Sequence, residues 1–404
     1  MTTHQYQPVS YQLTKQLDKE TKRNNGIYFT PPATVKKALD IIHPYMSNVI
    51  RVLEPSCGSG EFLHALSNRY SASNITIDAI ENNTIIYNAV KDAVCANTTI
   101  YNQDYLGYVP SEDYDLIIGN PPFFVIKKQA IYSRFYPYFD GRPNIFLMFV
   151  IKSLGHLKEN GLLCFVLPTS FLNCLYYDKT RKHINDHFAI LNIEECRDDY
   201  IETKQETVLV VLQKRRGGND NHDNVLTINN HTIFGTTGTI CELRQLYDQS
   251  TTLAEIGFDV NVGSVVWNQC KAILTEDATK TQLIYSSDIA NNTLSPKEYI
   301  NPEKKNYIDK KGHTDPLLVI NRGYGVGKYE FQYCLLDGKK EYLVENHLIC
   351  VRYTRTVPRG HLVKLYEKII TSLQNDKTQR FIQLYFGNNA INTTELKHVL
   401  PIYM

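Results

Sequence analysis

The sequence predicts an α/β protein: an open, doubly wound, mostly parallel sheet over the first half, followed by a second, α+β domain. Three observations predict it. Short apolar runs alternate with stretches of helical spacing from residue 50 to about residue 213. Several of those runs are almost continuously apolar, as strands covered on both faces are. The alternation then stops at Arg215-Arg216-Gly217-Gly218-Asn219-Asp220-Asn221-His222-Asp223, a glycine-rich polar stretch with the character of a linker.

Residues 1–25 are polar, mixed in charge and without a clear period, so a loose arm or a short helix is expected there. Residues 50–53 are apolar and end in Glu54-Pro55-Ser56-Cys57-Gly58-Ser59-Gly60. Residues 61–69 then place Phe62, Leu63 and Leu66 on one helical face. A strand over 75–80 ends in Glu81, and 83–94 has helical spacing. A third strand, 114–118, ends in Gly119-Asn120-Pro121-Pro122. A helix over 144–157, a strand over 161–167, a helix over 178–187 and strands over 190–194 and 207–213 complete the series. The expected organisation is an arm (1–25), a first domain (26–215), a linker (216–237) and a second domain (238–404). In the last, strands over 317–320, 329–335 and 347–353 mix with a helix over 361–373. Ligands of open α/β sheets sit beyond the carboxyl ends of the strands. Glu54, Glu81, Asp104 and Asn120 all fall there and should share one rim.

Composition narrows the function classes. Of 404 residues, 43 are Lys or Arg and 42 are Asp or Glu, a formal charge of +1. That excludes nucleic-acid binding by bulk charge and leaves room for a local basic groove. The nine cysteines are scattered, with no C-x-x-C pair, which predicts free thiols in a reducing compartment and no zinc or other metal site. No apolar run approaches the ~20 residues of a membrane span. An intracellular protein, monomeric and without a membrane partner, is expected.

Glycines in the turn after the first strand let the backbone approach a ligand closely. No Gly-Lys-Ser/Thr follows, so the turn is not a Walker loop. A carboxylate in the position of Glu81 can accept both hydroxyls of a ribose. Asn120-Pro121-Pro122-Phe123 is the sharpest signal. The lone pair of an adenine amino group is conjugated into the ring, so the group is a poor nucleophile. A site that alkylates it needs two neutral acceptors for its N–H groups. An Asn side-chain oxygen and a Pro carbonyl provide them, and an aromatic at the fourth position can stack on the base. Read alone, the tetrapeptide is also compatible with an ordinary Asn-Pro turn.

Taken together, Thr30-Pro31-Pro32, Glu54 to Gly60, Glu81, Asp104-Tyr105 and Asn120 to Phe123 resemble, in order and spacing, the class I S-adenosylmethionine (SAM)-dependent amino-methyltransferases. They are most similar to the gamma-class, TaqI-like DNA adenine-N6 methyltransferases. The resemblance implies a Rossmann-like, doubly wound SAM domain with a C-terminal α+β target-recognition domain. It implies a site-specific enzyme that methylates a flipped-out adenine in double-stranded DNA without a metal, and it leaves open a separate cognate restriction endonuclease. Residue by residue, it places Thr30 near the SAM carboxylate and Glu54, Ser56, Gly58 and Gly60 in the SAM loop. It places Glu81 and the adjacent Asn82 at the ribose, and Asp104 and Tyr105 at the SAM adenine. Asn120, Pro121 and Phe123 fall at the target base, with Pro122 beside the cofactor. The family often has Tyr where Phe123 stands, but stacking needs no hydroxyl.

The segment 200–212 resembles a hairpin whose leading aromatic stacks on the target base. Tyr200 is the aromatic candidate, whereas a gapless count gives Ile201. Residues 259–274 and 388–401 resemble recurring parts of the recognition domain. Arg322, Lys328, Arg352, Arg355 and Arg359 are candidate DNA contacts within two basic segments, with a loop around Tyr324 as a DNA-facing guess. DNA binding that weakens markedly with salt is expected. Two other readings stay open: the same site acting on RNA adenine or a protein glutamine amide, and a non-catalytic DNA-binding module.

Overall fold

A computed structural model describes residues 5–70, 75–92, 97–127, 132–215, 220–323, 330–385 and 391–404. Lys328, Tyr324 and residues 388–390 of the sequence reading lie outside them. The chain divides into two units, Met1–Ile240 and Cys241–Met404.

The first unit is built on a seven-stranded sheet. Its strands are β1 (Arg51–Glu54), β2 (Thr76–Glu81), β3 (Thr98–Asn102), β4 (Tyr114–Gly119), β5 (Leu157–Pro168), β6 (Phe188–Cys196) and β7 (Thr207–Lys214). The spatial order is β3-β2-β1-β4-β5-β7-β6. β1 to β5 pair in parallel, and β7 runs antiparallel to both β5 and β6. This is the open, doubly wound, mostly parallel sheet that the sequence predicts, with its switch point between β1 and β4. The inner strands are buried on both faces, and successive side chains serve opposite cores. Leu116 and Ile118 of β4, with Leu162, Cys164 and Val166 of β5, pack with Val35 and Leu39 of α3 (Pro32–Ile42) and Phe62 and Leu66 of α4 (Glu61–Arg69). Ile117, Leu163, Phe165 and Leu167 pack on the other side with α6 (Ile145–Gly155) and α7 (Asp178–His187). Between them in sequence, α5 (Thr84–Val90) starts at an Asn83 cap whose side chain accepts from the Ile85 and Ile86 N–H groups.

Two segments differ from expectation. Residues 5–25, expected as a loose arm or a short helix, carry two docked helices: α1 (Pro8–Gln16) and α2 (Lys19–Asn25). Leu13 and Leu17 are buried against Phe29 and Ile86. The Ser10 hydroxyl donates to Glu61 at 2.6 Å, and buried Lys22 pairs with Glu202 at 2.6 Å. Residues 220–237 are not a free connection. They hold a hairpin (Val225–Ile228 with His231–Phe234) whose Val225 and Phe234 join the first unit's core.

The second unit is α+β. Phe258–Val262, Leu348–Tyr353, Leu317–Asn321 and Tyr333–Leu336 form an antiparallel sheet in that order. A smaller mixed sheet and the helices Arg359–Leu373, Asp376–Tyr385 and Thr393–His398 accompany it. Among the described residues no helix is long and apolar enough to cross a membrane.

Candidate active site

The carboxyl ends of β1, β2 and β4 and the turn after β3 surround a cavity in the first unit. Its walls include Ser56, Gly58, Glu81, Asn82, Asp104, Tyr105, Asn120 and Pro122. These eight predicted site residues are therefore brought together. Thr30, Glu54, Gly60, Pro121, Phe123 and Tyr200 do not line it and act, if at all, from behind or beside it.

The loop after β1 is shaped by two glycines in the left-handed region, Gly58 (φ 51°) and Gly60 (φ 80°), the second of which caps α4. The Gly58 N–H donates to Glu81 Oε2 at 3.0 Å, and the Asn83 N–H donates to Glu81 Oε1 at 2.7 Å. Each Glu81 oxygen keeps acceptor capacity for a ligand hydroxyl. Burial pushes the Glu81 carboxyl up to about 7 even though these N–H groups favour its ionised form. Glu54 is fully buried behind the loop, and its Oε2 has no hydrogen-bond partner. Burial, then the neighbouring Glu81 and Glu61 charges, push its carboxyl far up.

Asn120 follows β4 directly. Its Nδ2 donates to the Thr30 hydroxyl at 3.1 Å and to the Tyr28 carbonyl at 3.4 Å. A carbonyl only accepts, so this contact fixes which way the amide points. Oδ1 is left buried with no partner. The Ser56 hydroxyl donates to the Asn120 carbonyl at 3.1 Å, tying the glycine loop to the tetrapeptide. Downstream, the Ile145 N–H donates to the Phe124 carbonyl at 3.0 Å, and the Phe123 ring meets Phe146 edge-on at 5.9 Å. The start of α6 thus holds the tetrapeptide from its far side.

Asp104 caps a short 3-10 turn, Tyr105–Gly107, with its Oδ1 accepting from the Leu106 N–H at 2.9 Å. Tyr105 is buried, its hydroxyl 2.8 Å from Ser153. Tyr200 departs from the expectation of an open stacking platform. It is buried, and its hydroxyl lies beside Thr207 and Asn120 without a hydrogen bond of good geometry. Ile201, the alternative register, is the exposed one.

The resemblance put Tyr28-Phe29-Thr30-Pro31-Pro32 over the methionine end of SAM, and Tyr28 and Phe29 do line the cavity, but sequence reasoning missed Asn25 to Ile27, which extend that wall. Gly26 ends α2 at φ 63°, and a Cβ there would lie 2.7 Å from the Phe123 backbone nitrogen and 3.1 Å from Pro122. Asn24-Asn25-Gly26 has the character of a helix stop, the signal that could have found it.

The basic candidates belong to the second unit. Arg322, Arg352 and Arg355 are exposed. Arg359 is exposed too, but its guanidinium donates to the Thr314 carbonyl at 3.2 Å and to the Asp337 carbonyl, so it clamps a loop of its own unit.

A bound SAM fits what is present. It offers a cation, a ribose diol and an adenine. The cavity offers the buried Glu81 carboxyl, a glycine turn open to close approach, and Asp104 with Tyr105, while the carboxyl with an orphaned oxygen, Glu54, lies outside its lining.

Comparison with known proteins agrees with this geometry. Residues 63–200 match the Eco57I restriction-modification methylase family. The modification methylase CviBIII of Paramecium bursaria Chlorella virus NC1A is 25% identical over 409 positions, covering 100% of each chain. The Type II methyltransferase M.CvrRI of Paramecium bursaria Chlorella virus XZ-6E is 23% identical, over 98% of this chain and 99% of its own. Among solved structures, a DrdV–DNA complex superposes with a TM-score of 0.51 at 13% identity, over 92% of this chain and 54% of that one, a likeness of fold. The chain is thus similar over nearly its whole length to a modification methylase and a Type II methyltransferase, and residues 63–200 match the Eco57I restriction-modification methylase family.

Proposed function

We propose that this protein is a site-specific DNA methyltransferase that transfers a methyl group from SAM to N6 of an adenine flipped out of double-stranded DNA. The observation that carries the reading is Asn120: a residue of the cavity wall whose amide is oriented by Tyr28 and Thr30 and whose buried oxygen has no hydrogen-bond partner. A buried acceptor without a donor costs roughly 1–3 kcal/mol, so it implies a donor that arrives. Relatives matched over essentially their whole length, and named as methylases, support the assignment.

In this reading Ser56, Gly58 and Glu81 hold the cofactor's ribose side, and Asp104 and Tyr105 hold its adenine. Bound there, SAM supplies the electrophilic methyl group. The target adenine leaves the helix, at a cost of a few kcal/mol, because its amino group is otherwise locked in a base pair. Asn120 Oδ1 and the Pro121 carbonyl accept from its two N–H groups, turning the nitrogen lone pair toward the methyl carbon. The N–C bond forms as the C–S bond breaks, and the extra proton on N6 passes to solvent. Phe123 supports the base face and favours the positive charge that develops on it. Positioning and fixed dipoles supply the acceleration. The second unit supplies sequence recognition.

The test is a transfer assay with methyl-labelled SAM, offering duplex DNA, total RNA and a protein mixture. The modified nucleoside is identified by mass spectrometry. N6-methyladenine in DNA is expected. Label confined to RNA or to protein glutamine overturns the reading.

Glu81 predicts a pH dependence. Its carboxyl is raised to about 7, so it is protonated in the free protein below that pH. The stability this gives the free protein is present below the unfolded value of 4.5 and lost as pH rises through about 7. The ionised form accepts hydroxyls better, so SAM affinity should strengthen as pH rises from 6 to 7.5, by up to roughly tenfold per unit below the pKa. Calorimetric titration of Glu81→Gln should lack that rise. An unchanged slope would remove Glu81 from the ribose.

A further inference from the structure

We propose that Lys152 is a positioning residue for the cofactor site, its ammonium group fixing the turn that carries Asp104 and Tyr105. The inference rests on the SAM reading above and extends it to a residue outside the cavity.

Lys152 lies on α6 and is buried. Its Nζ donates to the carbonyls of Tyr105 (2.5 Å), Leu106 (3.1 Å) and Tyr108 (2.5 Å). Those are all three donors an ammonium has. It forms no ion pair with a carboxylate among the described residues. What it gathers is the carbonyl end of the 3-10 turn, which a cation favours; the Tyr105 carbonyl also accepts from the Tyr108 N–H at 3.0 Å. Arg134 adds a second donor to the Leu106 carbonyl at 3.0 Å.

The other end of the same turn faces the cofactor cavity through Gln103, Asp104 and Tyr105. Tyr105 connects the two ends. Its ring lies 4.8 Å from Lys152 Nζ and 4.9 Å from the Phe149 ring, and its hydroxyl meets Ser153. Phe149, Lys152 and Ser153 are spaced i, i+3, i+4, so one face of α6 grips the turn from behind. With the carbonyls pinned, Asp104 keeps the capping geometry that aims it at an adenine amino group.

The clamp is titratable. A second cavity, lined by Leu106, Tyr108, Arg134, Lys152 and His156 among others, gives Lys152 a route to solvent. The charged and titratable groups facing it are Arg134 and His156, with Asp113 on His156, and Asp104 and Tyr108 from the turn. Burial, then the Arg134 charge, lower the Lys152 ammonium to about 8, against the pull of Asp104. The clamp is therefore charged at neutral pH and lost as pH rises through about 8.

The test is calorimetric titration with SAM from pH 7 to 9.5, using wild type, Lys152→Met and Lys152→Arg. Ligand-free hydrogen exchange across 103–109 is read in parallel. Wild type should lose at least fivefold in SAM affinity between pH 7.5 and 9.5. Lys152→Arg, always charged, should bind at pH 7 within about threefold of wild type and lack the alkaline loss. Lys152→Met should bind at least fivefold more weakly at pH 7 and exchange faster at 105–108. Parallel alkaline losses in wild type and Lys152→Arg overturn the proposal, as does wild-type affinity and exchange in Lys152→Met. Should the Met variant fail to fold, the Arg variant carries the test. Absence of SAM binding by wild type overturns the cofactor reading itself, and the exchange arm, read without ligand, still reports on the clamp.

Discussion

Asn120→Ala is expected to lower the rate of methyl transfer roughly 10²–10³-fold while leaving SAM affinity within about threefold. The rate estimate is that for removing one preorganised partner of the transition state, about 3–4 kcal/mol. The binding estimate follows from where the amide sits. Its nitrogen is spent on Thr30 and Tyr28, and its oxygen is the atom left without a partner. Alanine removes that oxygen without touching Glu81 or the glycine loop. Folding stability should move by no more than about 1 kcal/mol. Two modest hydrogen bonds are lost, and so is the cost of an unpaired buried acceptor. Asn120→Asp should behave differently. It puts a second oxygen against the Tyr28 carbonyl and so disturbs the wall made by Asn25 to Phe29, weakening SAM binding as well as the rate. Steady-state kinetics with kcat separated from KM, beside a SAM titration, distinguish the two. Activity within threefold of wild type in Asn120→Ala would sink the assigned role.

What could be read from the residues and what could not divide along physical lines. Glu54, Glu81 and Asn120 were legible because each closes or follows a strand with an apolar run, and the parallel topology sends those strand ends to one rim. Asp104 was grouped with them on the rim, but its role came from the resemblance and the strand before it was not read. The strand before it, Thr98–Asn102, lies at the sheet edge with its side chains largely outside, so it shows no apolar pattern. For residues 8–25 the sequence left a loose arm or a short helix open and did not show the docked pair, because the two helices are held by few apolar residues and by buried polar ones, Ser10 on Glu61 and Lys22 on Glu202, which a hydrophobic pattern does not register. Lys152 was invisible for the same reason. In Ile145–Gly155 it reads as the one solvated position of an apolar helix, whereas it is buried on three carbonyls. Tyr200 was singled out as the candidate aromatic of its segment, but nothing in the sequence said that its ring would be buried. The second unit's sheet joins strands as far apart as 258 and 353, pairings that no local pattern encodes.

The largest expected effect on stability comes from a residue remote from the cavity. Arg181→Met should destabilise the first unit by about 3–5 kcal/mol, the range for breaking a buried, hydrogen-bonded charge. Arg181 on α7 is fully buried. Its Nε donates to the Thr232 carbonyl at 2.5 Å, and one terminal nitrogen donates to the carbonyls of Phe171 (2.9 Å) and Cys174 (2.8 Å). Its other nitrogen lies 3.6 Å from Asp178, which in turn accepts from the Thr232 N–H at 2.7 Å. One guanidinium thus joins α7, the loop after β5 and the hairpin of residues 225–234. Methionine fills similar volume but leaves three buried carbonyls without that donor, each a penalty of its own. Lysine should recover only part of the loss, because a single ammonium lacks the planar fork that reaches three directions. Urea unfolding followed by circular dichroism would measure it, and a loss under about 1 kcal/mol would refute the assignment. Asp178 adds a pH signature. Burial pushes its carboxyl up, but His231, Lys182, the Thr232 N–H and Arg181 together hold it at about 2. A carboxyl depressed below its unfolded value contributes stability above about pH 4 that is lost as pH falls toward 2. Removing Arg181 weakens that depression, so the variant should unfold in acid at a higher pH than wild type, beyond the loss already present at neutrality.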